Sequence, residues 1–211
     1  MSLDFGSLAN VGGNLNVQNL DDSSYVSRNI SFPLLETIGG YFYVYRFYGD
    51  NLIAPSLTTI GDYLNIYQCY YVTDISLPAL QTIGSYFQLY SANELRHANF
   101  QSLLTIGSYF YMYSSSSLRV LEFPVLDTVG NYFRIYSSGV STGRISLPLL
   151  RLINGDLSLS STTYQHFDAP MLKHVAEDLD VSSSYNLVEF NTPRLSQIDS
   201  SRKKSRASHF I

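Results

Sequence analysis

The sequence predicts an all-β fold, a single parallel β-solenoid of about nine coils of 22–24 residues each. Three observations carry this. An Ile or Val recurs as Val11, Ile38, Ile60, Ile83, Ile106, Val129, Ile153, Val175 and Ile198, at intervals of 22 to 24 residues after a first interval of 27. A leucine stands three residues before every one of them, from Leu8 to Leu195, and all seven prolines (Pro33, Pro55, Pro78, Pro124, Pro148, Pro170, Pro193) stand five before. Elsewhere apolar residues alternate, and nowhere do they hold the i, i+3, i+4, i+7 spacing of a helix over helical length.

Each coil can be read in order. Ile75/Leu77, Leu121/Phe123 and Ile145/Leu147 alternate ahead of the proline as one short strand with an inward face. Proline fixes φ and has no N–H to give a ladder, so it marks a corner. The Ile or Val follows on a second short strand. Gly12, Gly39, Gly61, Gly84, Gly107 and Gly130 come next and predict a second corner, with backbone angles that suit glycine. A third strand then turns Phe42/Val44, Leu64/Ile66, Phe87/Leu89, Phe110/Met112, Phe133/Ile135, Leu157/Leu159 and Leu179/Val181 inward. One such coil cannot bury its apolar face alone, so neighbours must stack.

Composition narrows the function classes. Charged residues are 14% of the 211, against about 25% in ordinary domains. The net charge of −4 provides no general attraction to nucleic acid or to anionic membrane. Cys69 is the single cysteine, which excludes an internal disulfide and any multi-cysteine metal site. No apolar run approaches the roughly 18 residues of a membrane span, so no membrane insertion is expected. The opening MSLDFGSLANVGG lacks the apolar run of about 7 to 15 residues found in signal peptides. Glycine-rich phosphate loops are absent and His97, His166, His174 and His209 are scattered, so no metal or cofactor is expected.

Tyrosine is the compositional outlier, with eighteen residues and no tryptophan. On the third strand Tyr41, Tyr63, Tyr86, Tyr109 and Tyr132 form one outward column, and Tyr45, Tyr67, Tyr90, Tyr113 and Tyr136 form another. Tyr43 and Tyr111 lie between them, in a middle column shared with Asn65, Gln88 and Arg134. These twelve tyrosines are the candidate binding residues. An exposed aromatic patch of this size marks an interaction surface, and tyrosine combines apolar area with a hydrogen-bonding tip. A glycan or a protein is the expected ligand. The alternative is structural, because aromatic neighbours on adjacent strands stabilise a sheet by themselves. A third reading, a carbohydrate-active β-helix enzyme, would draw on Asp156, Asp178 and Asp180, outward on adjacent coils. The reading adopted for those carboxylates is a solvated acidic patch, with no catalytic residue assigned.

The consensus Leu-x-x-Ile-x-Leu-Pro-x-Leu-x-x-Ile-Gly-x-Tyr-Phe-x-Ile-Tyr is followed almost literally by VTDISLPALQTIGSYFQLY, Val72 to Tyr90. It resembles the receptor L-domain, the leucine-rich β-helix of growth-factor receptor ectodomains and of fungal GPI-anchored cell-wall proteins. A second similarity is to the leucine-rich repeats of bacterial surface antigens. The resemblance implies a right-handed solenoid over residues 5–199, an extracellular or cell-surface location, and non-enzymatic recognition or adhesion. Residues 200–211, with Arg202, Lys203, Lys204 and Arg206, read as a basic disordered tail. The end coils carry no polar caps, which predicts either a piece of a longer array or end-to-end self-association.

Overall fold

A computed structural model describes residues 3–20 and 29–200. Among them every regular element is a strand, no helix occurs, and every strand pairing is parallel. The strands stack as a β-solenoid of about eight turns, with three strands to a turn. The first face holds the strand before the proline, as in Asp74–Ser76 or Arg144–Ser146. The second is a nine-stranded sheet of two-residue strands, from Asn10–Val11 to Gln197–Ile198. The third is an eight-stranded sheet from Leu15–Leu20 to Leu179–Asp180. Beyond Ser200, the predicted basic tail lies outside the described residues.

Register turns the repeat into columns. Phe87 pairs with Phe110 and Phe110 with Phe133, while Tyr90 pairs with Tyr113 and Tyr113 with Tyr136. A slip by one residue would exchange the inward and outward sets on every strand, so the buried set holds the register. That set includes Leu80, Ile83, Phe87 and Leu89 in one coil and Leu103, Ile106, Phe110 and Met112 in the next, none more than 1% exposed. At the C-terminal end the core thins: Leu179, Val181 and Phe190 are half-buried and Ile198 is 42% exposed.

The proline corners are turns, as expected: Leu80 N–H donates to the Leu77 carbonyl at 3.2 Å, bracketing Pro78. The first face is interrupted once, between His97–Asn99 and Val120–Glu122. That break falls at the coil where Gln101 replaces the proline.

The glycine corner needs a correction. None of Gly39, Gly61, Gly84, Gly107 and Gly130 has a positive φ, so backbone angle does not select them. Proximity does. A Cβ on Gly107 would stand 2.8 Å from the carbonyl carbon of Gly84, and still closer to its oxygen. Each glycine N–H reaches back to the previous coil, as Gly107 donates to the Ile83 carbonyl at 2.9 Å. The coils touch through bare backbone here, and a side chain would hold them apart.

The left-handed backbone occurs instead at a third corner, after the tyrosine strand. Arg46, Gln68, Ser91, Ser114, Ser137, Ser161 and Ser183 all take φ between 47° and 56°. For an L-residue that conformation costs about 1–2 kcal/mol, a penalty glycine avoids. Ser114→Gly is therefore expected to raise stability, by up to roughly 1 kcal/mol once glycine's greater freedom in the unfolded chain is subtracted. A denaturant melt of this variant beside the parent checks it, and a lowered midpoint would contradict the account.

Behind this corner runs an inward column of small residues: Cys69, Ala92, Ser115, Ser138 and Thr162, all buried. They meet the backbone where the chain leaves the sheet. Ser138 Oγ donates to the Tyr136 carbonyl at 2.8 Å and accepts from Ser115 N–H at 3.1 Å. Cys69 places its sulfur 3.6 Å from the carbonyl of Val44, and burial pushes its thiol pKa up to about 11. It is a packing residue, protonated at neutral pH. The serines there are thus structural, tying the corner to the neighbouring backbone.

Candidate functional site: the tyrosine face

All twelve predicted tyrosines lie on the outside of the third face. The structure joins them as two ladders. In the first, Tyr41, Tyr63, Tyr86, Tyr109 and Tyr132 stack with centroids 4.4–4.8 Å apart and ring planes within 14° of parallel. The second ladder, Tyr45 to Tyr136, is looser, at 4.8–5.8 Å. Tyr43 leans on Tyr45 and Tyr111 on Tyr113 within their own coils. The coil spacing of about 4.8 Å produces this. Identical rings one coil apart meet at stacking distance without any turn about the backbone.

Stacking decides what the face offers. Ring faces are turned into one another, and neighbouring hydroxyls bond along the first ladder, Tyr63 with Tyr86 and Tyr109 with Tyr132. Eleven of the twelve are half-buried, and only Tyr136, 42% exposed, is open. The two ladders end differently. Beyond Tyr132 the guanidinium of Arg134 lies 4.3 Å from the ring centroid, a cation–π cap, and Arg134 is held in turn by an ion pair with Asp156. Beyond Tyr136 the same position is Ser160, and among the described residues no further ring stacks on it.

That step opens a groove of about 340 Å³. Tyr111, Arg134 and Tyr136 stand on one side, Ser158 and Ser160 form the floor, and Asp156, Asp178 and Asp180 close the other. The carboxylates are partly engaged. Asp156 accepts from Asp178 N–H at 2.9 Å as well as from Arg134, and Asp180 accepts from Ser182 N–H at 2.9 Å. Asp178 accepts from the Ser200 hydroxyl. Although burial opposes it, the Arg134 bond and the Asp178 N–H hold the Asp156 carboxyl below its ordinary range, so it stays ionised and is ill suited to donate a proton. Among the described residues no three of His, Cys, Asp and Glu converge as metal ligands.

Crowding tunes the phenols. Burial pushes Tyr132 up to about 12, with the neighbouring Tyr109 phenol adding to it, and Tyr86 and Tyr63 are raised mainly by burial. The sign of the linkage follows. A phenol whose pKa is higher folded than unfolded contributes stability that is complete below about pH 10 and lost as pH climbs through the folded value. The melting temperature is expected to hold up to about pH 10 and to fall steeply by pH 12. Parallel melts of a Tyr63→Phe/Tyr86→Phe/Tyr132→Phe variant check this, since its decline should be shallower; an equal decline would assign the loss elsewhere.

Sequence reasoning placed the ladders but not the groove. The groove is a step from Tyr136 down to Ser160 in the next coil, and a step between tall and short side chains has no motif. Tyr164 was also unassigned: it is fully buried, seated against Gly139 and Gly143, where an added Cβ would come within 2.5 and 2.7 Å of its ring. No protein-family model, curated protein or solved structure matches the chain.

Proposed function

We propose that this solenoid is a non-enzymatic recognition module of a cell surface or cell wall that binds a glycan or protein through its tyrosine face. One observation carries the reading: two tyrosine columns in register across five coils on one outward face. Such rows place hydrogen-bonding tips about 4.8 Å apart on a rigid sheet, which suits an extended ligand. The proposal includes the receptor L-domain type, a right-handed winding and nine coils, one for each strand of the second face. It also includes a location outside the cell.

The test separates hydroxyls from rings. Tyr63→Phe/Tyr86→Phe/Tyr90→Phe keeps the stacks and removes three tips. Glycan and cell-wall array binding is expected to fall at least about tenfold while melting stays near the parent's. Full binding by the phenylalanine variant would overturn the reading.

A structural role is the second reading, favoured by the ring faces being spent on each other. It expects the corresponding serine variant to melt earlier, with no ligand found for either form, and end-to-end self-association to be the working property. An enzymatic role requires polysaccharide turnover that Asp178→Asn abolishes.

A further inference from the structure

We propose that the groove at the open end of the second ladder is a subsite for a cationic sugar ring, an amino sugar within a glycan. The inference rests on the reading of the third face as a glycan-binding surface, and adds the place and the chemistry. Tyr136 is the one ladder tyrosine that is exposed, because Ser160 replaces the next tyrosine and Arg134 caps only the first ladder. The apolar C–H face of a sugar ring can lie against it there.

Charge selects the kind of sugar. Among the described residues four charged side chains line the groove, Arg134, Asp156, Asp178 and Asp180. Arg134 and Asp156 neutralise each other as an ion pair, leaving Asp178 and Asp180 as net negative charge opposite the ring. A π face and two carboxylates both favour a cation. Tyr136 and Asp180 lie two coils apart, about 10 Å along the stack, and two residues apart across it, about 7 Å, because Asp180 continues the Arg134–Ser158 column. A ring in van der Waals contact with Tyr136, at about 4 Å, would point its amino substituent across Ser158 and Ser160 toward Asp180, where a charged hydrogen bond forms at about 2.8 Å. The Ser158 and Ser160 hydroxyls beneath serve the ring hydroxyls as donors or acceptors.

The experiment is calorimetric titration of the full chain at about pH 6, where a sugar amine is protonated. The probes are a tetramer of β-1,4-linked glucosamine, its N-acetylated counterpart, the neutral glucose tetramer and tetralysine. The glucosamine tetramer is expected to bind at least about tenfold more tightly than either other sugar, and more weakly as salt rises. Asp180→Asn, which keeps the oxygen that accepts from Ser182, should remove about tenfold of that affinity, and Tyr136→Ser most of it. Leu34→Ser, exposed at the proline corner and away from this face, should leave it unchanged. Equal binding of the acetylated and free-amine tetramers, or undiminished binding by Asp180→Asn, would overturn the proposal. Tetralysine binding as tightly as the glucosamine tetramer would overturn its sugar half. Should the phenylalanine ladder variant lose array binding while Asp180→Asn retains the amino sugar, the face stands and the groove falls. The opposite pattern removes the ladder and leaves the groove.

Discussion

Gly107→Ala is expected to destabilise the solenoid by roughly 3 kcal/mol, a large effect for one methyl group. The added Cβ would meet the Gly84 carbonyl, its carbon 2.8 Å away, and a backbone group cannot swing aside as a long side chain can. Relief requires the two coils to part, which stretches the Gly107 N–H bond to Ile83 and the flanking ladder. The informative comparison is Gly12→Ala. It stands in the same column, but nothing lies within 4 Å of its added Cβ. There the substitution mainly restricts the unfolded chain and should stabilise by about 0.4–1 kcal/mol. Chemical denaturation of both variants decides the matter. A pair of equal effects would remove close approach between coils as the reason for the glycine column.

Phe110→Ala should cost about 3–5 kcal/mol. The Phe110 side chain is fully buried at the centre of the stack, with ring centroids 4.8 Å from Phe133, 5.2 Å from Phe87 and 5.3 Å from Phe123. Truncation removes the buried area and leaves a cavity between coils that are pinned on three faces and cannot close over it. Phe5→Ala is the control: its ring also stacks, 4.8 Å from Phe32, but is 42% exposed, and its loss should cost only about 1 kcal/mol. Thermal or denaturant melts of the two separate burial from stacking. A Phe110 variant no worse than the Phe5 variant would show that the core relaxes freely between coils.

The stacking of parallel strands was legible because a solenoid writes its period into the chain. Leucine, proline and Ile/Val columns fixed the strands of each coil, and alternation fixed which side chains face inward. Three things were not legible. The glycine column has one sequence signature and two possible causes, and only contact between coils tells close approach from a left-handed turn. The third corner uses Arg, Gln and Ser at positive φ, residues that do not announce a left-handed backbone. The groove depends on the height difference between Tyr136 and Ser160 one coil later, a relation across 24 residues that no local window contains. The tyrosine face lay between these cases. Its membership could be read from the columns, but ring stacking, and with it the choice between faces and edges, depends on the coil spacing.

The direction of the ladder hydrogen bonds has a mechanical consequence. In this stack they run from coil to coil, along the long axis, so a pull between the two ends opens them a coil at a time instead of shearing a whole sheet. Each coil that peels away shortens the stack by about 4.8 Å and frees about 23 residues, on the order of 80 Å of extended chain. The thinly packed terminal turns, with Phe5 and Ile198 exposed, are the first to yield, and the phenylalanine-filled middle the last. Under load the molecule is a reel of thread, paying out length from its ends while the central turns and their tyrosines stay wound.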